Sequence, residues 1–281
     1  MFFGIIGLPM KKEKCVNFQD VYWFKSLILC AFMAVSPKVL STELITPQKL
    51  SIAAIDWCPH VCLSKERPGY IVEIVKEVFS GGKYQLQIDF FPWSRAIRNV
   101  TSGQYHALLA PAKKEAPNLI YPANALGFQK MCFFVDKNSD WQYKNPKSLQ
   151  GLAIGIASDS SIEELNAYII KKPEQFQFQP YHERFVKQNA LKVLKKRIDT
   201  FIFTLNATLY TLKREGLHHK IKNVGCISKA EIYMAFTPIG SERSFINEVV
   251  TYFEQRMSEL HENGRLEEIR KKYDAKLSFE T

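Results

Sequence analysis

The chain is 281 residues long, 46% hydrophobic and 23% charged, the balance of a globular protein of one large or two modest domains and not of a low-complexity polymer. Its formal net charge is +10. That charge does not point to nucleic acid, because the cations are scattered among glutamates. The densest runs, Lys195-Lys196-Arg197 and Arg270-Lys271-Lys272, fall at expected helix ends, where cations are favoured anyway, and a solvated basic surface is the plain reading.

Residues 1–41 read as a secretory signal peptide cut after Ser41. Lys11, Lys12, Lys14 and Lys25 precede an apolar run from Leu27 to Val35, with Pro37 and Val39-Leu40-Ser41 behind it; this is the basic, apolar and small-residue order of an export signal. The apolar run falls short of the roughly 20 residues that cross a bilayer. An uncleaved N-terminal anchor is the alternative.

After the cut, Leu50–Ile55 reads as a strand and Asp56-Trp57-Cys58-Pro59 as a loop. Pro68-Gly69 makes a turn into a helix marked by Tyr70, Ile71, Ile74, Val75, Val78 and Phe79, which Gly81-Gly82 ends. Leu86–Phe91 is extended, and Pro92 suits a first helical turn. Trp93, Ala96, Ile97 and Val100 keep helical spacing up to Gly103, and Ala107–Ala110 is a short buried strand that Pro111 stops. This β-α-β-α-β order predicts a largely parallel sheet with covering helices. It sets Trp93 and Arg95 at a strand–helix junction, where α/β proteins bind ligands.

A polar stretch follows a strand at Gln129–Val135, and a second α/β region begins at Leu149. Leu152–Ile156 is a strand. Ser160 reads as an N-cap, with Glu163 completing a capping box. An edge strand at 176–179, a helical stripe over 185–194, a buried strand at 198–203, a helix over 205–215 and a strand at 231–237 come next. Helical spacing fills the rest, from Phe245 to Leu260 and from Leu266 to Tyr273, with Asn263-Gly264 between. The helix, turn and strand of 93–109 recur loosely at 185–203, which points to two similar lobes.

The exported chain keeps Cys58, Cys62, Cys132 and Cys226. Export permits disulfides, and four cysteines allow three connectivities. A local Cys58–Cys62 loop leaves Cys132 and Cys226 for a long-range bridge; free buried thiols are the alternative. A zinc site on Cys58-Pro59-His60-Val61-Cys62 lacks a second ligand pair at metal-site spacing, so neither metal nor cofactor is expected. Neither a Gly-x-Ser-x-Gly nor a His-Glu-x-x-His motif nor a phosphate loop occurs, and the six histidines are dispersed.

Five motifs in order, Trp57-Cys58-Pro59, Pro68-Gly69-Tyr70, Pro92-Trp93-Ser94-Arg95 with Gly103, Leu149–Gly155, and Asn263-Gly264-Arg265-Leu266 with Lys271-Lys272-Tyr273, resemble the periplasmic solute-binding proteins of the polar amino acid type (family 3). The resemblance covers residues 50–275. It implies a two-lobed, periplasmic-binding-protein-like (type II) α/β fold with two hinge crossovers, near Phe128–Phe133 and Glu231–Phe236. Lobe 1 is then 42–128 with 236–281, and lobe 2 is 129–235.

The same resemblance assigns ligand contacts. Trp57 stands where family members present an aromatic ring. Trp93 and Arg95 open the central helix, where Arg suits a carboxylate or phosphate; packing for Trp93 and an acid partner for Arg95 are the competing readings. Ser160 and Ser161 open a helix whose free N–H groups favour an anion, although a plain cap explains Ser160 as well. Ala110 and Lys113 lie on the loop where amino-acid binders carry an arginine, and Thr204 lies where they carry an acid. This chain has neither, a lysine is no substitute for a bidentate fork, and His106 replaces another expected acid. The ligand is therefore expected not to be a standard α-amino acid.

The expected function is that of a periplasmic solute-binding protein, not an enzyme. It clamps a small polar solute by hinge closure and delivers it, as a monomer without nucleic acid, to an ABC permease in the inner membrane. A sensing module for a membrane receptor, or a lyase or dehydratase on the same scaffold, are the alternatives.

Overall fold

A computed structural model describes residues 46–158, 162–239 and 243–277. The expected signal segment 1–41, together with Ser160 and Ser161, lies outside these residues. Two sheets form. The first has the order β2-β1-β3-β9, from β1 (Gln48–Ala54), β2 (Tyr84–Phe90), β3 (Ala107–Leu109) and β9 (Met234–Phe236). The second has the order β6-β5-β7-β4-β8, from β4 (Gly127–Asp136), β5 (Ile154–Ala157), β6 (Phe176–Gln179), β7 (Thr200–Thr204) and β8 (Ile221–Ile232).

In the first sheet β1 pairs in parallel with both β2 and β3. Helices cover both faces, which is why β1 reads as a near-continuous apolar run. On one face Leu50, Ile52 and Ala54 pack with Ile71, Ile74, Val75 and Val78 of α1 (Tyr70–Val78). On the other, Ala53 and Leu108 pack with Trp93, Ala96 and Val100 of α2 (Trp93–Thr101). Pro92 occupies the cap position rather than the first turn.

The second sheet alternates in the same way. Met131, Phe133 and Val135 face Leu165 of α3 (Glu163–Lys171), while Cys132, Phe134, Phe201 and Phe203 face Phe185 and Ala190 of α4 (Phe185–Leu194) and Leu212 of α5 (Leu205–Arg214). The expected cap at Ser160 is corrected: the helix begins at Glu163, its cap position is Ile162, and no side chain caps it. Ile162 is 1% exposed and packs in the cluster with Met131 and Phe133, so apolar burial fixes this helix start. The part of β8 that precedes Glu231 differs from the sequence expectation, which begins the strand at 231. It pairs antiparallel with β4, and register shifts on both sides of Cys132 break its two-residue alternation.

The chain passes between the sheets twice. It leaves the first along Pro111–Leu126 into β4, and it returns from β8 through Tyr233 into β9. The Tyr233 N–H donates to the Pro111 carbonyl (3.0 Å), and its own carbonyl accepts from the Ala110 N–H (2.8 Å). Met234 and Ala235 pair with Leu109 and Leu108 in the first sheet, so they sit there and not in the second lobe, where the sequence reading put them. Cys132 is bonded to Cys226 across β4 and β8, and Cys58 to Cys62 within the first loop. The last helices, α6 (Arg243–Glu262) and α7 (Arg265–Leu277), return to the first sheet. There Phe253 meets Phe79 and Phe236, and Glu73 of α1 accepts from Lys272 and Tyr273 of α7.

Gly69 determines the loop that carries Trp57. Its φ is +92°, and a Cβ there would lie 2.3 Å from the His60 carbonyl oxygen. Gly69→Ala is expected to cost on the order of 3 kcal/mol, from a disfavoured φ plus a backbone clash. Gly82→Ala has a similar φ of +76° but open space around it, and should cost only about 1 kcal/mol. Urea unfolding of both variants checks the difference.

Candidate functional site

The segments at the carboxyl ends of β1, β2, β3, β6 and β7 converge on a cavity of about 50 Å³ between the two sheets. Ile55, Trp57, Trp93, Ala110 and Glu115 line it from the first lobe, and Gln129, Met131, Tyr181, Phe203 and Thr204 from the crossover and the second. The register explains part of this grouping. Met131 of β4 lies opposite Thr204 of β7, so the floor and the far wall are set by one ladder.

Trp57 is held from behind. Its loop closes through hydrogen bonds between Trp57 and Val61, and the His60 ring stacks on the indole at 3.9 Å with an interplanar angle of 6°. Its Nε1–H donates to Thr204 Oγ1 at 2.9 Å. A second hydrogen bond crosses the cleft, from the Tyr181 hydroxyl to the Asp56 carbonyl at 2.9 Å. Tyr181 also stacks on Phe203 at 4.9 Å. Burial, and then the nearby charge of Asp56, raise its pKa well above the usual tyrosine range, so its hydroxyl is a neutral donor.

Glu115 is the one side chain of formal charge lining this cavity among the described residues. Its Oε2 accepts from the Ala112 N–H at 2.8 Å. Burial, and then the charge of Glu115, raise the pKa of neighbouring Tyr121.

Of the residues singled out from the sequence, Trp57, Trp93, Ala110 and Thr204 meet in this cavity. Arg95 does not: it is exposed on α2, on the side away from buried Trp93, Ala96 and Val100. Lys113 also stays outside. Its ammonium lies 4.7 Å from the centroid of the Tyr233 ring, in an adjoining cavity of about 280 Å³. Ser160 and Ser161 lie outside the described residues. His106 is structural: it bonds to Ser51 and sets its ring edge against Phe245.

Tyr181 and Glu115 were missed. The signal for Tyr181 was its place just beyond strand β6, at the carboxyl edge where such sheets bind ligands. Glu115 stands in the loop after β3, where the family resemblance calls for an arginine. Met131 and Phe203 were assigned to strand cores.

This architecture is the two-lobed periplasmic-binding-protein fold of type II, with two sheets joined by two crossovers and a cavity at the seam. No protein-family model matches the chain, and no curated protein matches it. Solved structures match in fold. One is a histidine kinase sensor domain with similarity to periplasmic binding proteins, at a TM-score of 0.67 and 15% identity, covering 81% of this chain and 96% of that one. Another, at 0.66 and 20% identity, covers 81% and 95% and comes from work on glutathione import through GshT and the cystine ABC importer TcyBC of Streptococcus mutans. A third is an ABC uptake transporter substrate-binding protein from Streptococcus pneumoniae with bound histidine, at 0.63 and 15% identity, covering 80% and 91%. The fold implied by the sequence motifs is thus the fold found. Among the described residues no helix is long and apolar enough to cross a membrane, and no group of His, Cys, Asp and Glu is placed to hold a metal ion.

His60 gives the site a pH dependence. The ring is 1% exposed, and burial pushes its pKa down to about 3, against a smaller upward pull from the Trp57 backbone. Unfolded, the ring titrates near its ordinary 6.5. Between these values the unfolded chain binds a proton that the folded chain refuses, so this contribution is complete above about pH 6.5 and is lost as pH falls. Taking the chain from pH 7 to 5 is expected to cost roughly 2 kcal/mol through this group. In His60→Phe that component of the pH dependence should vanish; denaturant melts at the two pH values measure it.

Proposed function

We propose that the chain is a solute-binding protein that captures a small solute between its lobes and hands it to an ABC importer. The observation that carries this reading is the seam cavity itself, walled by residues of both lobes and spanned by the Trp57–Thr204 and Tyr181–Asp56 hydrogen bonds. A ligand placed there touches both lobes at once and stabilises the closed arrangement by its differential affinity for it. Export to the periplasm through residues 1–41, a monomeric state and an inner-membrane permease as partner belong to the same proposal. So do ligand contacts by Trp57, Trp93, Ala110 and Thr204.

A sensing role is the second reading. It is favoured by the match to a histidine kinase sensor domain over 96% of that domain. The lyase or dehydratase reading draws no support from a lining in which Glu115 is the single carboxylate among the described residues.

A thermal-shift screen against amino acids, amines, small carboxylates and oligopeptides tests binding. A ligand at a hundred times its Kd should add about 2.7 kcal/mol of stability. The expected hit is not a standard α-amino acid, and the absence of any hit would sink the proposal. For a confirmed solute, uptake that fails when the gene is deleted supports import, whereas intact uptake with a lost cellular response supports sensing. Tyr181→Phe removes one cross-cleft hydrogen bond worth about 1 kcal/mol. It should open the unliganded cleft and increase the radius of gyration in small-angle scattering.

A further inference from the structure

The walls of the seam cavity define a ligand chemistry narrower than a small polar solute. Four aromatic rings line it, those of Trp57, Trp93, Tyr181 and Phe203, with Ile55 and Met131 adding apolar surface. The one formal charge among its described residues is the carboxylate of Glu115. Arg95 is exposed, Lys113 lies over Tyr233, and Lys229 lies over Phe128, and none of them lines this cavity. Burial holds Tyr181 neutral, so it adds no positive charge and no anion.

We propose that this cavity receives an organic cation, a compact alkylated ammonium head whose carbons meet the four rings and whose charge is balanced by Glu115. Aromatic faces carry negative potential and attract a cation, most strongly where water is excluded. Trp57 and Trp93 are 6% and 8% exposed, which meets that condition. An anionic head would face four ring systems and a like charge, with no cation among the described residues lining the cavity. A neutral head would gain the apolar contact alone. The proposal rests on the solute-binding reading and names the solute class for the same cavity.

The test is calorimetric titration of the purified full chain with choline and with 3,3-dimethylbutan-1-ol, which has the same shape with carbon in place of charged nitrogen. Butyrate serves as the anionic probe. Choline is expected to bind at least about tenfold more tightly than the neutral alcohol, with butyrate silent. Glu115→Gln keeps the side-chain oxygen that the Ala112 N–H needs and removes the charge, so it should narrow the gap by about tenfold. Trp93→Leu should weaken choline more than the alcohol. Because the probe pair is compared on the unaltered chain, the result survives any folding defect in the variants. Equal binding of choline and the alcohol, or preferential binding of butyrate, overturns the cation and leaves the solute-binding reading standing. Silence of these three probes, with another solute giving a thermal shift, also overturns the cation alone. Silence toward these probes and the whole solute screen overturns both.

Discussion

The antiparallel ladder between β4 and β8 is the element on which the rest of the molecule depends. It runs from Gly127 opposite Ile232 to Asp136 opposite Ile221. One end opens into the first sheet, and the other is built into the second. Where the strands leave for the first sheet, Tyr233 is clasped by the backbone of Ala110 and Pro111. That clasp accounts for a local irregularity: Ala110 has a φ of +69°, a conformation costing an L-residue roughly 1–2 kcal/mol. The cost is borne where surrounding hydrogen bonds leave the chain no alternative. On its other edge β4 pairs with β7 and sets Met131 against Thr204, so the cavity floor and the acceptor for Trp57 follow from that second register.

The first lobe presents Trp57 and Trp93 to the cavity. Trp57 is fixed by a short loop, by stacking on a neutral buried His60, and by the close approach of Gly69 to the His60 carbonyl. Little conformational freedom remains for a ligand to remove, and pre-organisation of this kind lowers the cost of binding. Tyr181 on the opposite lobe is fixed likewise, by its stack on Phe203 and its bond to Asp56. On the proposed binding function, the rings are placed before a ligand arrives, and what remains adjustable is the separation of the lobes.

Much of this frame was legible in the sequence because its parts are locally periodic. Strand β1 is apolar on both faces, and α1, α2 and α6 carry their buried residues at helical spacing. Strand β8 escaped because its bulged register spaces the buried residues irregularly, at Ile221, Val224, Ile227 and Ile232. In the site, Trp57 and Trp93 followed from motif and position. Arg95 lies outside the cavity, as helical geometry requires: with Trp93, Ala96 and Val100 inward, a residue two places after Trp93 is turned by about 200° to the far side. Tyr181 and Glu115 were harder to find, since each is a single loop residue whose place depends on pairings remote in sequence. The binding wall is shared between chain segments that no local pattern connects.

The Cys132–Cys226 bond lies within the ladder, on the second-lobe side of the passage. A covalent rung there prevents the two strands from shearing past one another beyond that point. Any swing of one lobe against the other has to be absorbed between the rung and the first sheet, in Phe128–Met131 of one strand and Ile227–Tyr233 of its partner. The pivot is therefore short, and its stiffness is tied to the oxidation state of two sulfur atoms. Thiol reduction would remove that covalent rung while the sheets on either side of it kept their own hydrogen bonds and cores.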